Sequence, residues 1–175
     1  VLSAGDNSFF AKYDTDGNFL WAKNLGIQSN DYAQRVLAID DAIYTTGLFN
    51  YRGIFGKDTV YSYGHNDIFV NKYDNSGNCI WTINAGGTGG DGAYAMTTDL
   101  SGNIFVGGYV SSSPAHFGIH EVNATGAQDM IVAKLSSTTG IPQLANPANM
   151  VTIYPNPVSQ EFSVSNPQGS YTDLK

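Results

Sequence analysis

Basic residues are scarce in this chain. Its 175 residues hold 8 Lys and Arg against 15 Asp and Glu, a formal net charge of −7, and Arg35 and Arg52 are the only arginines. A protein that grips duplex nucleic acid displaces counterions with a basic face, and an anionic membrane surface asks for the same. Nucleic acid and an acidic lipid surface are therefore not expected partners. Cysteine is almost absent: Cys79 stands alone, which rules out an intrachain disulfide framework. Its neighbours Asn78, Ile80 and Trp81 read as strand, so it is expected as a small buried hydrophobe. No adjacent Lys, Arg or His is present to activate its thiol. No apolar run approaches the ~20 residues that cross a bilayer as a helix, and no membrane insertion is expected. The chain begins at Val1 without a signal-peptide pattern and is expected to be a piece of a longer polypeptide.

Catalytic signatures are missing too. Serines are plentiful, but no G-x-S-x-G elbow occurs and no G-x-x-x-x-G-K-[ST] phosphate loop. Gly86-Gly87-Thr88-Gly89-Gly90 is glycine-rich, yet it joins strand to strand, where a phosphate cradle needs a helix N-terminus behind it. It is expected to be a flexible connection. No catalytic, cofactor-binding or metal-binding residue is assigned, and no enzymatic activity is expected.

What the chain has is turn-punctuated β sequence. It carries 20 Gly, 11 Tyr and 9 Phe, and aromatic residues favour strands. Asp91 to Val110 shows the unit: two short runs of aromatic and β-branched residues split by Asp99-Leu100-Ser101-Gly102-Asn103, a β-hairpin. The unit recurs. Asn7-Ser8-Phe9-Phe10-Ala11-Lys12-Tyr13-Asp14 matches Asp67-Ile68-Phe69-Val70-Asn71-Lys72-Tyr73-Asp74, and Asp129-Met130-Ile131-Val132-Ala133-Lys134-Leu135 matches both. Lys12, Lys72 and Lys134 are 60 and 62 residues apart. Asp31-Tyr32-Ala33 aligns with Asp91-Gly92-Ala93, and Phe55-Gly56 with Phe117-Gly118, in the same register.

One unit runs from about Asp31 to Gly86. Strands are expected at Arg35 to Ile39, Ala42 to Leu48, Asp67 to Tyr73 and Asn78 to Asn84, with a long polar loop from Phe49 to Asn66. The next unit has the equivalent loop from Val110 to Gln128. Four short antiparallel strands per repeat describe a propeller-type blade. No segment has a helical period. The fold class is therefore all-β: about two and a half four-stranded antiparallel blades over residues 1–140, with further blades expected before Val1. The span 141–149, with Pro142 and Pro147 among small polar residues, reads as a linker. A new strand–turn–strand pattern over 150–175 is expected to open a second unit.

Three turns share the form D-x-x-G-N, at Asp14, Asp74 and Asp99. Asp can accept from its own backbone two residues on, and Gly takes the positive φ. Asp14-Thr15-Asp16-Gly17-Asn18 superficially resembles a calcium loop, with Asp14, Asp16 and Asn18 as its candidate ligands. However, Gly is fourth rather than sixth and no Glu stands at the twelfth place, so a plain turn is expected. Asp40-Asp41 replaces the longer turn in the middle unit, where a tighter hairpin is expected. His116 and His120 are four apart, a spacing that would converge on a metal only from a helix; a loop is expected, and His65 is expected to be solvated. Asp58-Thr59-Val60 is similar to a short O-glycosylation acceptor used in some bacteria.

Two families are resembled. Asp91-Gly92-Ala93-Tyr94-Ala95-Met96, Gly102-Asn103-Ile104-Phe105-Val106-Gly107-Gly108-Tyr109 and Asp129 to Leu135 resemble the bacterial SBBP β-propeller repeat, over about Gly5 to Gly140. The middle copy departs by lacking the D-x-x-G-N turn. Ile153-Tyr154-Pro155-Asn156-Pro157 with Phe162-Ser163-Val164 resembles the opening of the type A C-terminal sorting domain of the type IX secretion system, a small β-sandwich. That resemblance implies export across a Gram-negative outer membrane, a secreted or surface-attached location, and the type IX machinery as a partner. The expected function is a non-enzymatic scaffold that binds proteins or glycans through its long loops, with Tyr51, Tyr61, Tyr63 and His116 as candidate contacts. The alternatives are the accessory end of a large exported hydrolase and a glycan-binding lectin-like module.

Overall fold

A computed structural model of the chain describes residues 8–26, 31–135 and 151–154. Among these residues there is no helix, and twelve strands follow in order: β1 (Ser8–Tyr13), β2 (Phe19–Leu25), β3 (Tyr32–Ile39), β4 (Ala42–Phe55), β5 (Asp58–Asp74), β6 (Cys79–Gly87), β7 (Gly92–Thr98), β8 (Ile104–Val110), β9 (Ala115–Phe117), β10 (His120–Val122), β11 (Asp129–Leu135) and β12 (Val151–Tyr154). All pairings are antiparallel. They make a two-stranded sheet β1-β2, a six-stranded sheet β10-β9-β6-β5-β4-β3 and a four-stranded sheet β12-β11-β8-β7. The all-β, antiparallel expectation holds.

The repeat is visible in the register. Lys72 lies across from Tyr44 on one side and Trp81 on the other. Lys134 lies across from Phe105 and Thr152, and Lys12 across from Trp21. The two inner lysines sit alike over their partner rings, with Nζ 5.5 Å from the Tyr44 centroid and 5.6 Å from that of Phe105, within cation–π range. The three D-x-x-G-N turns are superposable in their bonding. In each, Asp Oδ1 accepts from the amides two and four residues on at 2.8–2.9 Å, while Oδ2 accepts from the Asn side chain. The glycines take φ of 85°, 77° and 75°. Asp40-Asp41 closes the β3–β4 hairpin in two residues, with Asp40 at φ 49°.

The middle sheet is covered on both faces, which explains the unbroken buried run from Ile43 to Phe49 in β4, Thr45 and Thr46 included. Ile43 and Tyr73 face β1 and β2 and pack with Phe10, Leu25 and Trp21. Tyr44, Ile68, Val70 and Ile83 face the third sheet and meet Ile104, Val106, Ile131, Ala133 and Leu135. Alternate strand residues point to opposite faces, so each sheet interface draws on every second position. Burying several large apolar side chains at roughly 1.5–3 kcal/mol each holds the sheets together.

Three expectations about segments are corrected. Phe49 to Asn66 is not a loop: β4 and β5 pair at Asn50↔Asn66 and again from Arg52↔Tyr61 to Phe55↔Asp58, with a bulge of Tyr51 against Ser62 to His65 between, and only Gly56 and Lys57 form the turn. The Asp58-Thr59-Val60-Tyr61-Ser62-Tyr63 alternation carries β-forming residues. Phe55 anchors the tip by packing with Phe49 and Phe69. Val110 to Gln128 likewise contains the β9–β10 hairpin, and β9 adds to the end of β6 through Gly86↔His116 and Gly87↔Ala115. Gly86 and Gly87, expected in a flexible connection, are thus strand residues. Val151–Tyr154 is a strand as expected. It pairs with Val132 to Leu135 as the fourth strand of the third sheet and covers an edge that β11 would otherwise leave open. Residues 155–175, where the rest of the sorting-domain resemblance falls, and the linker at 141–149 lie outside the described residues.

Candidate functional site

The candidate contact residues come together on the paired arms of β4 and β5 and on β9. Tyr61 and Tyr63 are two apart on β5 and share one face. Tyr51 sits in a bulge between Asn50 and Arg52, with φ 62°. There its amide donates to Ser62 Oγ at 3.0 Å, and its ring meets Tyr61 edge to face with centroids 6.5 Å apart. Tyr63 packs on His116 at 5.4 Å, and His116 Nδ1 lies 3.4 Å from the Glu121 carboxylate on β10. Tyr51, Tyr61 and Tyr63 are 67%, 58% and 52% exposed. These four residues form a strip of solvent-facing rings. Asn84 Nδ2 donates to the Tyr61 carbonyl at 3.1 Å, and Asn50 Nδ2 to Asn66 Oδ1 at 3.0 Å, so polar amides border the rings.

Behind the strip lies a feature that the sequence analysis did not single out. Asp67 lies midway along β5 and Asp91 immediately precedes β7, and both are fully buried. Asp91 Oδ2 accepts from the Gly87 amide (2.8 Å) and Ser112 Oγ (2.6 Å), and Oδ1 from the Ser111 amide (2.8 Å). Its own amide donates to the Asn66 carbonyl at 2.7 Å. The carboxylate therefore ties β6 to the segment after β8, and the Asp91 amide adds the middle of β5. Asp67 Oδ2 accepts from the Tyr63 amide at 2.8 Å, whereas its Oδ1 is buried without a hydrogen-bond partner. Burial pushes the Asp67 carboxyl up to about 7; the Tyr63 amide opposes that rise and the Asp91 charge adds to it. Gly86, at φ 148°, lies between them. A Cβ there would come within 2.7 Å of Asp67 Oδ1 and 2.8 Å of Asp91 Oδ2. The available signal was the repeat itself: an Asp recurs at the head of the first strand (Asp31, Asp91) and of the third (Asp67, Asp129). Asp129 Oδ2 accepts from the amide of Thr125, four residues back, as Asp67 does from Tyr63.

The remaining candidates take structural places. Both Asp14 carboxylate oxygens accept hydrogen bonds within its own turn. Asp74 and Asp99 do the same with Ser76 and Ser101 where Asp14 has Asp16, so the turn needs no second acid. His116 and His120 stand on opposite arms of a hairpin, across from Glu121 and Phe117. Among the described residues no three His, Cys, Asp or Glu gather around a common point. Cys79 is half-buried, its Sγ 3.6 Å from the Trp81 carbonyl and Thr82 Oγ1, and burial pushes its thiol upward. Thr59 is exposed near the tip of the β4–β5 arm, and His65 is exposed on β5.

No family model matches the chain. Over 102 residues it is 31% identical to the regulatory protein FlaEY of Caulobacter vibrioides, an alignment that covers 55% of this chain and 11% of that protein.

Proposed function

We propose that this chain is a non-enzymatic repeat scaffold, displayed outside the cell, that binds protein or glycan partners through the Tyr51–Tyr61–Tyr63–His116 strip. The observation that carries the reading is the strip itself. Three tyrosine rings, each more than half in water, are held on the β4–β5 arm, whose tip is anchored by Phe55, and His116 on β9 packs against the last of them. Tyrosines offer large contact area with few rotatable bonds, and a rigid frame lowers the ordering cost of binding. The propeller-type reading is supported by the repeated four-strand order and the repeated lysine register. Export by the type IX machinery is supported by the Tyr154-Pro155-Asn156-Pro157 resemblance, and a secreted or surface-attached location follows from it.

A printed glycan array and a panel of surface proteins, probed with the wild-type chain and with Tyr61→Ala/Tyr63→Ala, test the binding reading. Binding that drops at least about tenfold in the double variant, whose fold is retained by circular dichroism, supports it. A tenfold loss corresponds to about 1.4 kcal/mol, modest for two exposed aromatic contacts. Equal binding by both proteins removes the strip from the function.

A further inference from the structure

We propose that Asp67 and Asp91 form a proton-operated latch between the second and third sheets, which sets the position of the Tyr63–His116 end of the aromatic strip. The inference rests on the strip being the binding surface; the latch itself rests on geometry. Two buried carboxyls flank Gly86. Asp91 is committed as an acceptor to three donors, while Asp67 has one donor and one orphaned oxygen. Two adjacent carboxylates in a dry site cannot both ionise without cost, so the proton belongs on Asp67.

Both connections from the latch lead to the strip. The amide that donates to Asp67 is that of Tyr63, and Gly86, wedged against both acids, pairs across the ladder with His116. The Tyr63 and His116 rings then touch. The charged and titratable groups on the packed elements are few. Asp91 acts directly on Asp67. Tyr109 on β8 feels the Asp91 charge. His65 lies on β5 itself, Arg52 on β4, and Tyr94 on β7, where it stacks on Tyr109. His116 on β9 is engaged with Glu121 on β10. Of these groups, Asp91 is the charge that acts on the Asp67 carboxyl.

The sign follows from the two states. Asp67 holds its proton up to about pH 7 when folded, against an ordinary value of 3.8. Its contribution to stability is complete below the ordinary value and is lost as pH rises through about 7.

The test is a melting series with the full chain and Asp67→Asn from about pH 5 to about pH 8.5, paired with carbon-detected NMR of the Asp67 carboxyl. The wild type is expected to lose about 4 °C in Tm between about pH 6 and pH 8. The carboxyl should titrate near neutrality, and the Tyr63 ring signals should move with the same midpoint. Asp67→Asn should lose that slope, and its Tyr63 signals should lose the movement that shares the Asp67 midpoint. A wild-type carboxyl that titrates in the ordinary acidic range overturns the latch, as does an unchanged pH slope in the variant. If the variant does not fold, the wild-type NMR titration alone decides. These readouts require no ligand, so loss of the binding reading on the array and loss of the latch are separate results.

Discussion

Asp99 shows how a single side chain sets a turn here. Its carboxylate accepts from the Ser101 and Asn103 amides and from the Asn103 side chain, satisfying donors that a tight turn leaves over. Those bonds hold its carboxyl below the ordinary value, with the Asn103 side chain as the largest cause. Their contribution is present above the ordinary carboxylate range and is lost as acid protonates the folded-state carboxyl. Asp99→Ala is accordingly expected to lower the urea midpoint at neutral pH, with the gap to wild type closing on acidification. An acid-independent gap would mean the carboxylate is not what holds the turn. Gly86 makes the complementary point by what it lacks. Gly86→Ala places a methyl against both buried carboxyls at a φ that L-residues avoid. It should cost about 2–4 kcal/mol in chemical denaturation.

At the scale of elements, glycine also marks where the first strand of each repeat bulges. β3 slips register between Ala33 and Arg35 opposite Gly47, and β7 between Ala93 and Ala95 opposite Gly108. An added Cβ at Gly47 would overlap the Tyr32 carbonyl oxygen, and one at Gly108 the Gly92 carbonyl oxygen. Bulges bring backbones close and bend the strand. Gly47→Ala and Gly108→Ala are expected to be destabilising to a similar degree, which thermal melts would compare; a benign Gly108→Ala beside a damaging Gly47→Ala would break the equivalence. The β4–β5 arm depends on its aromatic anchor. Phe55→Ala leaves a cavity beside Phe49 and Phe69 and should cost about 3–5 kcal/mol. Amide exchange at Tyr51 to Tyr63 should quicken, because the arm's pairing loses its tip. The hairpins, turns and glycine positions were legible in the sequence because they are local. The arm was not: its polar Asn, Ser and Asp residues look like loop, and only the partner strand in register converts them into ladder.

For the molecule as a whole, the outer edge of β11 is the vulnerable line. β12 covers it at Val132 to Leu135, and open strand edges recruit other chains. A chain stopped at residue 149 is expected to associate in a concentration-dependent way by size exclusion with light scattering. A monodisperse product of unchanged melting temperature would show that β12 adds nothing. The same scale governs the candidate site. The aromatic residues of the strip could be picked out one by one, being unusual on polar segments. Their partnership could not, because His116 reaches Tyr63 only when β9 docks on the end of β6. Asp67 and Asp91 were visible as repeated letters, but burial and mutual approach give them their chemistry, and those arise where two sheets meet.

The sequence by itself determined the local grammar: which residues extend, which turn, and that the pattern recurs about every sixty positions. Those properties depend on neighbours within a few residues, through side-chain alternation, Asp acceptors and glycine φ. Tertiary structure decided which edges pair, that β9 extends the middle sheet, that Val151–Tyr154 completes the third, and that two acids share one dry junction. Strand pairing and desolvation depend on segments far apart in the chain, and only the packed sheets bring their atoms within reach.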